Sequence, residues 1–237
     1  MTAGSGTIQA QTWMGTKGGG PLILYWHATG SSATFEVPAA FDTAAVTAAG
    51  GMIVGFEATT RTGTPTATTG NDVWYQSDVA FADQVAACAV QQGHVDPRHI
   101  HVAGYSAGAL QSVYMWFARS GYVASVISYS GGNVTIDEAA FQDAAHAGAA
   151  IVAHGGSGTD VYGNTDFAAT SASWEAQIKQ AGALGGDCND GQAHVYAPRL
   201  QNLAPVSLKF FEDHPFGVSP EPYGTLPSGF PSYCKID

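Results

Sequence analysis

Short apolar runs alternate along this chain with longer stretches whose apolar residues recur at helical spacing, a pattern that predicts βαβ units and a mostly parallel sheet. PLILYWHA at 21–28 reads as a buried strand, followed by a loop from Thr29 to Ser32 and a helical stretch through 39–50. GMIVGFEA at 51–58 is the next strand, and a Thr- and Gly-rich loop follows at 59–71. Residues 77–93 carry Ser77 or Asp78 as a cap, apolar positions at helical period and Gly93 as a stop, so they predict a helix. HIHVAG at 99–104 reads as a strand and 107–121 as a helix. VASVISYS at 123–130 and GAAIVAHG at 148–155 are further strands, and the acidic segment between them has room for one short helix and no large lid. Residues 171–184 and 205–214 are amphipathic helices, and the Pro- and Gly-rich remainder reads as a surface tail. No repeat or low-complexity linker interrupts the series. The expectation is a single α/β domain over residues 1–237.

Gly104-Tyr105-Ser106-Ala107-Gly108 is a G-x-S-x-G sequence lying between a β-branched strand and a helix. In that setting a sharp turn lifts a serine Oγ clear of the sheet, and small flanking residues let strand and helix approach. Ser106 is the candidate nucleophile.

A serine hydroxyl attacks well only when a histidine takes its proton and an acid holds that histidine's tautomer. In doubly wound serine hydrolases the acid follows the serine in the chain and the histidine follows the acid. Asp160, in the loop beyond the strand ending near His154, is the expected acid. Asp166 is the alternative, better explained as the cap of the next helix. His194, in the loop DGQAH ahead of the final helix, is the expected base, and His214, after that helix, stays as the alternative. His99 and His101 share a strand face and are expected to be satisfied by hydrogen bonds there. His94 precedes a turn and His146 is assigned to a polar helix face. With no H-E-x-x-H and no paired cysteines, no catalytic metal is expected, and no cofactor.

Acyl transfer also needs backbone N–H donors aimed at the oxyanion. Ala107, just after the nucleophile, is one. Thr29 is the choice for the other, with Ala28 as its alternative, while His27 at the strand end braces the loop.

Composition narrows the partners. Of 237 residues, 45% are hydrophobic and 11% charged, which fits a packed enzyme core. Eight Lys and Arg against a net charge of −11 argue against nucleic acid, because phosphate binding needs clustered cations. No apolar run approaches the roughly 20 residues that cross a bilayer. The start MTAGSGTIQA lacks the order of a secretory signal. Scarce Lys and abundant Thr, Ser, Gly and Asn nevertheless suggest a secreted protein whose leader has been removed. Cys188 and Cys234 lie in loop contexts suited to a disulfide, and Cys88, inside an apolar helical pattern, is expected free and buried. Three reduced thiols remain an open alternative, since spacing alone does not fix pairing.

The stretches VDPRHIHVAGYSAGAL, PLILYWHATGSS, AHGGSGTDV and CNDGQAH resemble the nucleophile, oxyanion, acid and histidine regions of secreted esterases related to polyhydroxybutyrate depolymerases and feruloyl esterases. The likeness runs from about residue 20 onward. It implies an α/β-hydrolase fold with little or no lid domain, a Ser106–His194–Asp160 triad and action on polyester or bulky aromatic esters. One departure is His27-Ala28, where those enzymes carry His-Gly. Trp26 and Tyr105, with Trp74 and Tyr75, are candidate flat surfaces for such a substrate, and a monomer is expected. The rivals are a peptidase or amidase of the same fold and a binding module with a vestigial triad.

Overall fold

The computed structural model describes residues 7–59, 63, 64, 66, 73–133, 141–194 and 196–237. Strands β1 (Gln9–Met14), β2 (Gly20–Trp26), β3 (Met52–Glu57), β4 (Val95–Tyr105), β5 (Ser125–Tyr129) and β6 (Ala149–His154) belong to one sheet. A small antiparallel hairpin follows, β7 (Val161–Tyr162) and β8 (Thr165–Asp166), and then β9 (Gly185–Asn189) and β10 (Cys234–Ile236) complete the sheet. The sheet order is β1-β3-β2-β4-β5-β6-β9-β10, parallel from β3 to β9 and closed at each edge by an antiparallel strand.

Alternation along the strands distributes the helices. Ile23 and Tyr25 of β2, Ile53, Ala103, Ile127 and Ile151 face one side and meet α1 (Ala33–Ala40), α2 (Thr43–Ala48) and α6 (Tyr196–Asp213). Leu22 and Leu24, with Val54, Val102, Val126 and Val152, face the other and meet α3 (Val79–Gln91), α4 (Ala107–Ala118) and α5 (Phe167–Gln180). Strands covered on both faces are buried along their whole length, which is why β2, β5 and β6 read as mostly apolar runs.

Several boundaries differ from expectation. The stretch read as one helix over 39–50 is two helices, because Ser32 caps Phe35 N and Asp42 caps Ala45 N with the extended residue Phe41 between them. The last helix begins at Tyr196, not 205. Its buried positions Arg199, Leu200, Leu203, Val206, Ser207, Phe210 and Phe211 keep one helical stripe through Pro205. Strands β1, β9 and β10 were not foreseen. Most of loop 59–71 and residues 134–140 of the β5–β6 connection lie outside the described residues. His146 sits in a loop, not on a helix, and packs its ring 4.0 Å from that of Phe216.

Cys188 and Cys234 are bonded, joining directly opposed residues of β9 and β10. Cys88 is free but exposed, correcting the expectation of burial: α3 turns Val79, Ala82, Ala86 and Ala89 inward and leaves Cys88 outside. No helix among the described residues is long and apolar enough to cross a membrane.

Candidate active site

The parallel strands deliver the site at their C-terminal ends, where loops from separate strands converge. Ser106 stands between β4 and α4 with φ 53° and ψ −118°, a strained conformation that aims its side chain out of the turn. The flanking glycines make the turn possible. A Cβ on Gly104 would lie 2.4 Å from Gly108 O, and one on Gly108 would lie 1.9 Å from Trp26 O. Ser106 N donates to Tyr129 O at 2.9 Å, tying the turn to β5.

His194 Nε2 is 3.1 Å from Ser106 Oγ and its Nδ1 is 2.7 Å from Asp160 Oδ1. The carboxylate fixes the tautomer: Nδ1–H donates to Asp160 and Nε2 accepts from the serine hydroxyl. The rings of Phe167 and Tyr105 lie nearly parallel to the imidazole with centroids at 4.6 and 5.3 Å, and Tyr162, which is 48% exposed, comes to 5.6 Å.

Asp160 is fully buried and its other oxygen is crowded with donors. Oδ2 accepts from Gly155 N at 2.8 Å and Ser130 Oγ at 3.0 Å, and Arg199 Nη1 lies at 2.9 Å. Burial drives this carboxyl up, but His194, Arg199 and Gly155 outweigh it and hold the acid below its ordinary value. Arg199 is itself buried. It forks onto Asp190 at 2.8 and 2.9 Å, touches Ser130 Oγ and donates to the Gln192 and Ala193 carbonyls of the histidine loop. One cation therefore braces both the acid and the loop that carries the imidazole.

The alternatives fall elsewhere. Asp166 caps α5, accepting from Ala168 and Ala169 N, and Gly158 N lowers its pKa. His214 is buried between Phe210 O at 2.7 Å and Glu221 Oε1 at 3.0 Å, away from Ser106. His101 Nδ1 meets Ser125 Oγ at 2.9 Å, but its Nε2 and His99 Nδ1 have no partner among the described residues, so that pair is less satisfied than expected. Trp26 is entirely buried, stacked on Phe56 and edge-on to Trp74, and is a core residue where a substrate surface was expected. Tyr105 is buried as well, and its contact is with His194.

Ala107 opens α4, where a backbone N–H has no intrahelical partner. At the end of β2, His27 Nε2 accepts from Ala58 N at 2.9 Å and its Nδ1 donates to Ala28 O at 2.7 Å, so His27 does brace the loop. Ala28 N donates to the buried Glu36 at 3.0 Å.

The sequence reading missed Ser130, Phe167, Tyr162, Arg199 and Glu36. A buried arginine and a buried glutamate look in sequence like surface charges on amphipathic helices, and only the folded sheet brings them under these loops. A second cluster was missed too: His154, Glu175 and Asp187 offer atoms within 4.8 Å of one another, with His154 Nε2 3.1 Å from Asp187 Oδ1. Burial disfavours the His154 cation, yet the Asp187 hydrogen bond, Gly155 O and the charge of Glu175 raise its pKa on balance.

This sheet order, with a serine at the strand–helix turn after β4, defines the α/β-hydrolase fold. No protein-family model matches the chain, and no curated protein matches it. Solved structures do. A cysteine-for-serine variant of a protein named pOPH, in complex with DMSO, has a TM-score of 0.75 at 12% identity over 97% of this chain and 89% of that one. Native sOPH follows at TM-score 0.73 and 14% identity, covering 97% and 90%. A Bacillus cereus carboxylesterase gives 0.63 at 13% identity over 88% of this chain and 95% of its own. Identities this low make the likeness one of fold.

Proposed function

We propose that residues 1–237 form a single catalytic domain of a serine carboxylic-ester hydrolase, secreted and monomeric, working through an acyl-enzyme on Ser106. The observation that carries the reading is the unbroken chain from Ser106 Oγ through His194 to Asp160, at 3.1 and 2.7 Å. His194 Nε2 takes the hydroxyl proton as Oγ attacks the ester carbonyl, and Asp160 stabilises the imidazolium. The N–H groups of Ala107 and Thr29 receive the oxyanion. When the tetrahedral intermediate collapses, the ester C–O bond breaks and His194 returns its proton to the departing alcohol. Water then repeats the sequence on the acyl-enzyme, with His194 again as base, releasing the acid and free Ser106.

Polyester or bulky aromatic esters are the proposed substrates. The half-exposed ring of Tyr162 beside His194 supports this, since large flat groups bind on such surfaces. The fold likeness to a carboxylesterase supports ester chemistry.

The test is labelling with a fluorophosphonate, followed by rates on short p-nitrophenyl esters, polyhydroxybutyrate, feruloylated sugars and aromatic polyesters. Label on Ser106, lost in Ser106→Ala, with turnover of at least one ester, is expected. An unlabelled protein inert on every ester overturns the proposal, and cleavage of aminoacyl anilides alone assigns it to amides.

A further inference from the structure

The loop between β2 and α1 has two consecutive peptide groups that are fastened on every side but one. His27 O accepts from Trp74 Nε1 at 2.8 Å, and Ala28 N, on the other side of the same peptide, donates to Glu36 Oε1 at 3.0 Å. In the next peptide Ala28 O accepts from His27 Nδ1 at 2.7 Å and from Ser31 N at 3.1 Å. A trans peptide points its C=O and N–H in opposite directions. The Thr29 N–H is thus turned away from His27, and it has no hydrogen-bond partner among the described residues. The loop also runs across the mouth of α4, because the vacant Cβ position of Gly108 is 1.9 Å from Trp26 O and 2.8 Å from His27 O.

We infer that Glu36, with His27, is a positioning residue of the oxyanion hole: the two clamp the Ala28–Thr29 segment so that the Thr29 N–H, and not the Ala28 N–H, is held ready beside that of Ala107. This inference rests on the proposed acyl transfer at Ser106. Ala28 is excluded as donor because its N–H is already spent on a carboxylate. Glu36 is suited to the role because it is fully buried on α1 and is itself held, accepting from Tyr25 Oη at 2.8 Å. A carboxyl in that place without a task in the core is costly. Burial pushes it up to about 7, with Glu57 pushing the same way and the bonds from Ala28 and Tyr25 opposing. His27 is held neutral, since burial lowers its pKa against the pull of Ala28 O and Glu57, which keeps Nε2 free to accept from Ala58.

The test uses a trifluoromethyl ketone labelled with ¹³C at its carbonyl. Ser106 Oγ adds to that carbon, the hydroxyl proton passes to His194, and the resulting oxyanion occupies the hole. Its ¹³C shift, followed against pH, reports the oxyanion pKa directly, a property that global stability does not move.

Glu36→Leu, which cannot accept from Ala28, is expected to raise the oxyanion pKa and lower kcat/KM about 10- to 100-fold, approaching the loss of one oxyanion donor. Glu36→Gln keeps an acceptor and should recover most of that loss. His27→Asn sets an amide N–H where Nδ1 stands and should retain function better than His27→Gln, which mimics Nε2 instead. This pair carries the test if Glu36→Leu does not fold. A wild-type oxyanion pKa retained in folded Glu36→Leu, or, where that variant does not fold, the same oxyanion pKa in His27→Asn and His27→Gln, overturns the clamp alone. A wild type that forms no adduct overturns the reading of Ser106 and the clamp with it.

Discussion

Arg199 Nη1 lies 2.9 Å from Asp160 Oδ2, on the far side of the carboxylate from the oxygen that meets His194. The side chains are 1% and 0% exposed, so this is an ion pair inside the protein that also includes Asp190. Breaking such a pair leaves a buried charge uncompensated and typically costs about 3–5 kcal/mol. Arg199→Leu should destabilise the fold by that order in denaturant titration. Activity should change in its pH dependence as well. Asp160 works as a carboxylate and its pKa is depressed, partly by Arg199, so its contribution is lost as pH falls through the folded value. Removing the guanidinium raises that value, and the acid limb of the kcat/KM profile should move to higher pH. An unmoved limb in a folded variant would show that the arginine has no electrostatic hold on the acid.

The turn around Ser106 has no room for side chains beside it. An alanine methyl at position 108 would meet Trp26 O at 1.9 Å, and the obstruction is backbone, which cannot rotate aside. Gly108→Ala should therefore abolish fluorophosphonate labelling and lower the thermal midpoint, whereas Gly158→Ala, with open space around the Cβ position but φ +67°, should cost only about 1 kcal/mol and leave labelling intact. Equal labelling in the two variants would count against the strained-turn account.

The Cys188–Cys234 bond closes a separation of 46 residues. On the chain-entropy account a loop of that size stabilises by about 4 kcal/mol. Cys234→Ser should lose up to that amount. Native protein should react with one equivalent of a thiol reagent, at the exposed Cys88, and with three after unfolding and reduction.

Two carboxyls that burial pushes up, Glu36 and Glu175, contribute stability that is lost as pH rises through the weakly acidic range. Burial pushes Glu36 from 4.5 up to about 7, and burial with the charge of Asp187 does the same to Glu175 against the pull of His154. Between those values the folded state retains protons that the unfolded state has released, so unfolding becomes easier with rising pH across that window. At about 1.4 kcal/mol per unit, Glu36 alone contributes on the order of 3 kcal/mol. The depressed carboxyls of Asp160 and Asp166 act with opposite sign below this window, and the lowered imidazoles of His27, His101 and His146 act with opposite sign inside it. From pH 5 to 8 the thermal midpoint of the wild type should fall relative to that of Glu36→Gln. Two curves that stay parallel would contradict the assignment.

The central strands and the turn at Ser106 were legible because doubly covered strands are mostly apolar and because G-x-S-x-G between strand and helix leaves few other geometries. The edges were not. β1 is almost wholly exposed, so it has no apolar pattern to read. β9 is Gly-Gly-Asp-Cys-Asn, buried but without branched residues, since a Cβ on Gly186 would come within 2.6 Å of Ile151 Cδ1. Of the site, Asp166 as a cap and the Asp160 and His194 loops followed from local chemistry, and hydrogen-bond distances run from Asp160 through His194 to Ser106. Arg199 and Glu36 did not follow, because what makes them interior is the packing of α6 and α1 against the sheet. Trp26 misled for the same reason: an aromatic at a strand end looks available until neighbouring rings cover it.

The antiparallel strands at the two margins of the sheet bear on self-association. An unpaired strand edge is a template for another chain, and cells suffer for long, flat, apolar ones. Here one margin ends in the short Gln9–Met14 segment, where Gln9, Gln11 and Thr12 are exposed, and the other in only three residues, among them Lys235, whose ammonium sits 3.3 Å from Asp187 and 3.5 Å from Asp237. The Lys235 border thus offers a neighbouring molecule little apolar surface to extend, and replacing Lys235 by valine should turn that border into a seed for aggregation.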